Sequence, residues 1–249
     1  MTMLEVRNVT KRFGSLVAVK DVSMSVKAGE LRAIIGPNGA GKTTFFNMIS
    51  GYFPPTSGSI LLEGKDVTQV PAHKRVALGM GRTFQITEIF PELTVHENVL
   101  TAAEVAAGQT LHMLPKRSDA KLANDVAAET LAQVGLTAKA DRLVGELSHG
   151  DQRTTEIAMA LAQLPRLLLL DEPTAGMGDQ ETYEITTLIR RLHHERNYTI
   201  ILIEHDMRVV FNLADSITVL DRGNLLAQGT PDQIAASEAV QAAYLGESR

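Results

Sequence analysis

The sequence predicts an α/β fold with a mixed, mostly parallel sheet, an N-terminal antiparallel β subdomain and an inserted α-helical subdomain. Three observations support this prediction. Short segments rich in β-branched residues fill the N-terminal part, strands alternate with helices in the C-terminal part, and a stretch rich in Ala, Leu, Glu and Asp lies between them. Alternating strands and helices are typical of a mainly parallel sheet that helices cover on both faces.

The N-terminal β subdomain is predicted from short segments that are separated by turn-forming residues. A further β segment, 59–67, follows the turn-rich stretch 54–58. The first three segments are 4–6, 16–19 and 22–26, and the residues that separate them are Gly14, Asp21 and Gly29.

Residues 93–145 are predicted to form the inserted helical subdomain. Thr94 followed by Glu97 is the pattern of a capping box, which starts a helix. A second helix is expected over 120–134, ended by Gly135. The α/β core with its β subdomain is therefore expected over residues 1–92 and 146–249 of a single domain.

After the insert, the sequence predicts alternating helices and strands. Thr230 and Pro231 predict the start of a final helix, with Pro at the first helical position. The expected helices span 150–163, 181–196 and 207–213, and the expected strands span 167–170, 199–203 and 216–220.

The composition argues against several classes of function. The 249 residues carry a formal net charge of -5 and only 4% aromatic residues without Trp, which disfavours a nucleic-acid surface. The chain has no Cys, which excludes disulfides, thiolate metal sites and Cys nucleophiles. We expect no signal peptide, and no apolar run approaches the roughly 20 residues that cross a bilayer. A role at a membrane would therefore require another chain to hold this one there.

Residues 36–43 match a phosphate-binding loop, G-x-x-x-x-G-K-[ST], with a buried strand expected before it and a helix after it. Glycines let backbone N–H groups turn toward phosphates, Lys42 adds a point charge, and the Thr43 hydroxyl can bind Mg²⁺. The motif predicts a P-loop nucleoside triphosphatase core. The expected nucleotide-binding residues are Gly36, Pro37, Asn38, Gly39, Ala40, Gly41, Lys42, Thr43 and Thr44.

Asp171 and Glu172 follow a run of four leucines that predicts a buried strand. Asp171 at the strand end can hold Mg²⁺ through water, and Glu172 can act as general base on the attacking water. An acidic pair at a strand end is also compatible with simple solvation. The phosphate loop in the same chain favours the catalytic interpretation.

The stretch Leu-Ser-His-Gly-Asp-Gln-Arg at 147–153 resembles the L-S-G-G-Q signature of ABC ATPases, and it precedes the acidic strand as that family requires. Ser148 and Gly150, which the family uses against the γ-phosphate of ATP, are retained. His149 replaces a Gly and Asp151 replaces the Gln. The helix dipole would favour Asp151, whereas a nearby anionic nucleotide would disfavour it. The sequence leaves open which effect prevails.

Three further residues resemble functional residues of the ABC family. Gln85 resembles the Q-loop glutamine, His205 the switch histidine and Phe13 the aromatic residue that stacks on adenine. Taken alone, Gln85 would be a surface amide and His205 a structural histidine, but their order and flanking strands match those of the family. For Phe13, a place in the core is the alternative to stacking on adenine. Gly178 lies where the family often has Asp, so communication between paired sites is expected to differ from the common pattern.

The resemblance, which covers about residues 4–245, implies an ATPase that works as a pair of cassettes and uses ATP and Mg²⁺. Each ATP would lie between the phosphate loop of one cassette and the signature helix of the other. The family pattern implies that Glu172 is the base and that Asp171 and Thr43 hold Mg²⁺. It also implies that His205 contacts the γ-phosphate and that Gln85 senses Mg²⁺ and the γ-phosphate and links to a partner.

Four segments, 81–85, 90–95, 204–207 and 243–247, resemble the ATPases of branched-chain amino acid importers. Signature variants of this kind also occur in relatives that serve urea, amides or aromatic acids, so the solute stays open. The resemblance implies two membrane permeases, a second ATPase subunit of the same or a different kind, and indirectly a substrate-binding protein. It implies a peripheral location at the cytoplasmic face of the inner membrane and no nucleic-acid partner.

Two other functions compete with the importer. One is an exporter ATPase, for lipid or lipopolysaccharide, whose cassette looks similar. The other is a soluble ABC ATPase that acts on DNA or the ribosome, which the single cassette, the short 44–147 spacing and the acidic composition disfavour.

Ile89 and Phe90 would either form a docking patch for a membrane subunit or pack inward, and the sequence does not choose between these.

Overall fold

The chain divides into two structural units. The first combines Met1–Arg75 with Arg190–Arg249, and the second comprises Val76–Ile189. The computed structural model describes residues 1–83, 89–106 and 117–245, with side chains for all of these except 117–119 and 245. Among the described residues, no helix combines the length and the apolar character needed to cross a membrane.

The described elements follow one another in chain order as a β-rich start, a helical middle and an alternating end. They are β1 (Thr2–Phe13), β2 (Leu16–Lys27), β3 (Leu31–Ile35), α1 (Lys42–Ser50), β4 (Ser57–Leu62), β5 (Lys65–Asp66), α2 (Ala72–Val76), β6 (Met80–Arg82), α3 (Val95–Ala106), α4 (Arg117–Val134), α5 (His149–Ala162), β7 (Leu167–Asp171), α6 (Asp179–Arg196), β8 (Thr199–Ile203), α7 (Met207–Leu213), β9 (Ser216–Asp221), β10 (Asn224–Gly229), α8 (Pro231–Ala235) and α9 (Glu238–Leu245), with 3-10 turns at Thr137–Lys139 and Val144–Glu146.

The first unit contains the predicted antiparallel β subdomain, with strand order β2-β1-β4-β5. The sequence predicted a break at Asp21, but β2 is one continuous strand. Asp21 has a φ of 51° and Asn8 in β1 has a φ of 47°, values that Asn and Asp tolerate better than other non-glycine residues. Their N–H groups donate to the hydroxyls of Thr10 (3.0 Å) and Ser23 (2.8 Å). These bonds satisfy the backbone at the irregular positions, so strand pairing continues past them.

A second sheet in the first unit is mixed, as predicted. Strand β3 pairs in parallel with both β8 and β9, and every residue of β3 and β8 is buried. Strand β10 pairs antiparallel with β9 and was not predicted. The two strands are joined by Arg222 (φ 45°) and Gly223 (φ 79°), which suits a two-residue hairpin with the favoured twist. Every residue of β10 is exposed or half-buried.

The second unit carries the helices predicted within 93–145, together with β6, which pairs in parallel with β7. The capping box is present: Thr94 N–H donates to Glu97 Oε2 (2.7 Å), and Glu97 N–H donates to Thr94 Oγ1 (3.1 Å). Helix α4 ends before Gly135, which has a φ of 82°. The limits of the helical subdomain stay a prediction.

The helix that begins after Thr230 is not the last one. Thr230 and Gln233 form a capping box, in which Thr230 N–H donates to Gln233 Oε1 (2.9 Å). That helix, α8, ends at Ala235, and α9 follows it. The hydroxyl of Ser237, just before α9, accepts from Val240 N–H (3.4 Å), which marks a second start that the sequence analysis missed.

Arg75 is a buried cation of the first unit that the sequence did not single out. It is 1% exposed, and its guanidinium donates to the main-chain carbonyls of Met48, Ile49, Val67 and Val70. Burial lowers the pKa of Arg75 to about 10. These bonds tie the C-terminal end of α1, the helix after the phosphate loop, to the segment before α2.

Replacing Arg75 by Met should lower the free energy of unfolding by about 3 kcal/mol or more, because several buried carbonyls lose their donor. Urea denaturation monitored by circular dichroism measures this. Arg12→Met removes an exposed arginine of the same unit and should change stability by no more than about 0.5 kcal/mol. Equal effects of the two variants would contradict a structural role for Arg75.

Candidate functional site

The phosphate loop of the first unit requires glycine at two positions. A Cβ at Gly36 would lie 2.1 Å from the carbonyl oxygen of Leu220, and a Cβ at Gly41 would lie 2.5 Å from that of Ala18. The φ angles are 150° and 94°, both in the region that glycine adopts readily. Gly39 also has a positive φ, 75°, but no described atom lies within 4 Å of a Cβ there. Sterics therefore fix the path of this loop.

Lys42 reaches back over the same loop. Its ammonium donates to the carbonyl oxygens of Gly36 (2.6 Å) and Pro37 (3.0 Å). Lys42 is the first residue of α1, whose N-terminal N–H groups and dipole favour an anion, and the first turn carries no acidic residue. In that turn, Thr43 is exposed and Thr44 is half-buried. The arrangement is chemically suited to phosphate.

Phe13 lies on the surface of the first unit and not in a core. Its side chain is 48% exposed, and its ring meets that of Phe53 edge to face at 5.6 Å between centroids. The ammonium of Lys11 is 4.5 Å from the Phe53 centroid and 5.3 Å from the Phe13 centroid. An exposed ring supported in this way can offer a face for stacking.

His205 follows β8 and is oriented by a buried carboxylate. Glu204 is 0% exposed, and its Oε2 accepts from the N–H groups of His205 (2.9 Å) and Asp206 (3.3 Å). The same oxygen lies 3.7 Å from Nδ1 of His205, whose side chain is 63% exposed. Asp206 caps α7 by accepting from Arg208 N–H at 2.8 Å. The imidazole therefore faces outward from a fixed backbone.

The acidic pair of the second unit lies at the end of β7. Asp171 is 1% exposed, and burial raises the pKa of its carboxyl group, with the charge of Glu172 adding to the rise. The guanidinium of Arg82, 3.3 Å away, opposes it. Glu172 is half-buried with a φ of 45°, which is uncommon for a residue other than glycine and typical of strained functional positions.

Arg153 holds the backbone around the acidic pair, a role that the sequence did not predict. Its guanidinium donates to the carbonyl oxygens of Asp171, Glu172 (3.0 Å) and Pro173 (3.3 Å). It also forms a buried ion pair with Glu156. No local pattern marks this role, because Thr155 and Glu156 of the same helix are also buried polar residues.

The resemblance to an ABC signature coincides with the start of α5. Ser148 is the N-cap, and its hydroxyl accepts from Asp151 N–H at 3.2 Å. Gly150 N–H donates to Oε1 of Glu181 at 3.0 Å, and a Cβ at Gly150 would lie 3.3 Å from Cγ of Glu181. Asp151 forms an ion pair with Lys139. Neither Glu181 nor Lys139 was among the predicted site residues.

The predicted Q-loop residue, Gln85, lies outside the described residues. Just after that segment, Ile89 is half-buried and Phe90 is 50% exposed. The side chain of the fully buried Asn98 forms two hydrogen bonds with the backbone of Phe90. It accepts from the Phe90 N–H (2.8 Å) and donates to the Phe90 carbonyl (3.0 Å). The Phe90 ring therefore lies at the surface, which favours the docking alternative for this residue.

Comparison with known proteins places this geometry in a family. The model of the ABC transporter family matches residues 19–175, and that of the branched-chain amino acid ATP-binding cassette transporter matches residues 224–249. The chain is 43% identical to the high-affinity branched-chain amino acid transport ATP-binding protein BraF of Pseudomonas aeruginosa, over 99% of this chain and 98% of BraF. It is 41% identical to LivG of Escherichia coli K12, which has the same description, over the same shares.

Solved structures agree with these matches. The ADP conformation of MJ1267, an ATP-binding cassette of an ABC transporter, superposes with a TM-score of 0.88 at 31% identity over 99% of both chains.

The chain also resembles an export protein, at a lower sequence identity than it has to BraF and LivG. It is 32% identical to the lipopolysaccharide export system ATP-binding protein LptB of Escherichia coli K12, over 99% of this chain and 98% of LptB. These comparisons confirm the predicted fold and activity: the chain belongs to the ABC transporter family as an ATP-binding cassette that hydrolyses ATP.

Proposed function

We propose that this cassette powers the import of branched-chain amino acids and works at the cytoplasmic face of the inner membrane, bound to permease subunits. The observation that carries the proposal is the 41–43% sequence identity, over nearly the full chain, to two branched-chain amino acid transport ATP-binding proteins. The branched-chain amino acid family model that matches residues 224–249 supports it further. The export relative is about ten percentage points less identical, so lipopolysaccharide export is the second candidate.

The phosphate loop is proposed to bind the phosphates of ATP. Its fixed backbone at Gly36 and Gly41, the N-terminus of α1 and the ammonium of Lys42 all favour negative charge. On binding ATP, the Lys42 ammonium would donate to phosphate oxygens in place of the carbonyl oxygens of Gly36 and Pro37. Phe13 would stack on the adenine ring, for which its exposed face is suited.

Mg²⁺ fits the oxygen donors that the two motifs provide. Mg²⁺ usually takes one or two protein oxygens together with substrate phosphates. The hydroxyl of Thr43 and the carboxylate of Asp171 are the proposed donors. When bound, the ion would neutralise charge on the phosphates.

The chemical step is proposed to depend on three residues. Glu172 acts as general base on the attacking water. Its strained backbone is held by Arg153, whose guanidinium donates to the carbonyl oxygen of Glu172. His205 contacts the γ-phosphate and orients the water, since Glu204 fixes its backbone. Arg153 acts through Glu172 and positions it.

A second cassette is proposed to complete each nucleotide site. Ser148 and Gly150 at the start of α5 would approach the nucleotide of that partner, and ATP would favour the closed pair by binding it more tightly than the open pair. Phe90 and the adjoining Gln85 segment are proposed to contact a permease. A substrate-binding protein would deliver the solute without touching this chain.

Glu172→Gln should keep ATP affinity and lower the rate of hydrolysis roughly 10²–10⁴-fold, because the amide cannot accept the proton of the attacking water. A phosphate-release assay and a titration with labelled ATP measure the two quantities. Glu195→Gln, an exposed glutamate at the end of α6, is the control and should change neither. Near-normal hydrolysis by Glu172→Gln would exclude this residue as the base.

The importer proposal is tested by capturing the Glu172→Gln chain with ATP from detergent-solubilised native membranes and identifying the associated proteins. Two multi-spanning permeases, together with a second copy of this chain or another cassette, would support it. A direct uptake assay with labelled leucine in vesicles holding that complex and its binding protein then tests the solute. Association with lipopolysaccharide export proteins, or with no membrane chain, would contradict the proposal.

A further inference from the structure

Lys139 places a positive charge beside the signature helix. It ends the 3-10 turn Thr137–Lys139, and its ammonium lies 2.5 Å from Oδ2 of Asp151. Asp151 is the third residue of α5, in the turn that also holds Ser148 and Gly150. The residue that replaces the family's usual uncharged glutamine therefore carries a charge that is paired within the chain.

Hydrogen bonds fix the backbone of both residues in this ion pair. Lys139 N–H donates to the carbonyl of Leu136 (2.9 Å), which is 3% exposed, and the carbonyl of Lys139 accepts from Arg142 N–H (3.0 Å). Asp151 is held by the Ser148 hydroxyl. The side chains are 45% exposed for Lys139 and 21% exposed for Asp151. The backbone at each end of the pair is therefore fixed, and the Asp151 carboxylate is partly shielded from solvent.

Negative charge is concentrated at the same end of α5. Besides Asp151, the carboxylate of Glu181 accepts from Gly150 N–H at 3.0 Å. Two carboxylates near a helix N-terminus are favoured by the dipole but repel an approaching phosphate. Lys139 offsets one of them where it is partly shielded from solvent and salt.

We propose that Lys139 neutralises Asp151 and thereby allows the signature end of α5 to accept the anionic nucleotide held by a second cassette. The Lys139–Asp151 pair would do together what an uncharged glutamine does elsewhere in the family. Lys139 acts through Asp151 and is a positioning residue. The inference rests on the proposed pairing of cassettes around ATP, and it resolves the question that Asp151 raised in the sequence.

The test compares variants of this chain within the purified transporter complex by measuring ATP hydrolysis against ATP concentration at low and high salt. Lys139→Ala should raise KM for ATP roughly fivefold with little change in kcat, because Asp151 then repels the nucleotide. The increase should shrink at high salt. Lys139→Arg should keep the wild-type KM, and the double variant Lys139→Ala/Asp151→Gln should return to it because both charges are gone.

Lys121→Ala is the matched control, because it removes an exposed lysine of the same unit, in α4, and it should leave KM unchanged. A Lys139→Ala complex that behaves like this control, or a double variant as impaired as Lys139→Ala, would overturn the role of Lys139 alone. A defect caused only by lost stability would persist in the double variant and would not respond to salt. A purified complex that contains only one cassette would overturn the proposed pairing of cassettes, and this inference with it.

Discussion

The carbonyl oxygens of Ala18 and Leu220 approach the phosphate loop so closely that only glycine fits opposite them. A Cβ at Gly41 or Gly36 would lie well inside normal contact distance of these backbone atoms. Ala18 belongs to β2 of the antiparallel sheet, and Leu220 belongs to β9 of the mixed sheet. The nucleotide loop therefore takes its path from both sheets of the first unit.

The unpredicted hairpin between β9 and β10 adds to this constraint. Gly223 N–H donates to the carbonyl of Ala40 in the loop (3.0 Å), and the carbonyl of Gly223 accepts from Lys20 N–H in β2 (2.7 Å). The carbonyl of Ala40 is thus bonded to the hairpin. The N-terminus of α1 and the ammonium of Lys42 are the groups of this loop that suit phosphate.

Local patterns made much of this fold and of the candidate site predictable from sequence. The phosphate loop, the Thr94 capping box and the strand before Asp171 each depend on residues within a few positions of one another. Arg75, Arg153 and Lys139 could not be recognised in this way, because most of the carbonyls and the carboxylate that they bind come within reach only when several segments pack together. Tertiary context decides whether an arginine or lysine is a surface charge or a structural donor.

The role of sterically fixed glycines in shaping the ATP site is best measured by the ATP affinity of Gly41→Ala, determined by calorimetry. We predict that this variant stays folded, as shown by circular dichroism, but loses ATP binding, because the loop must shift away from Ala18. Gly39→Ala has space for its methyl group and should weaken binding only about tenfold, through backbone strain alone. Wild-type affinity in Gly41→Ala would show that the ATP site does not require glycine opposite Ala18.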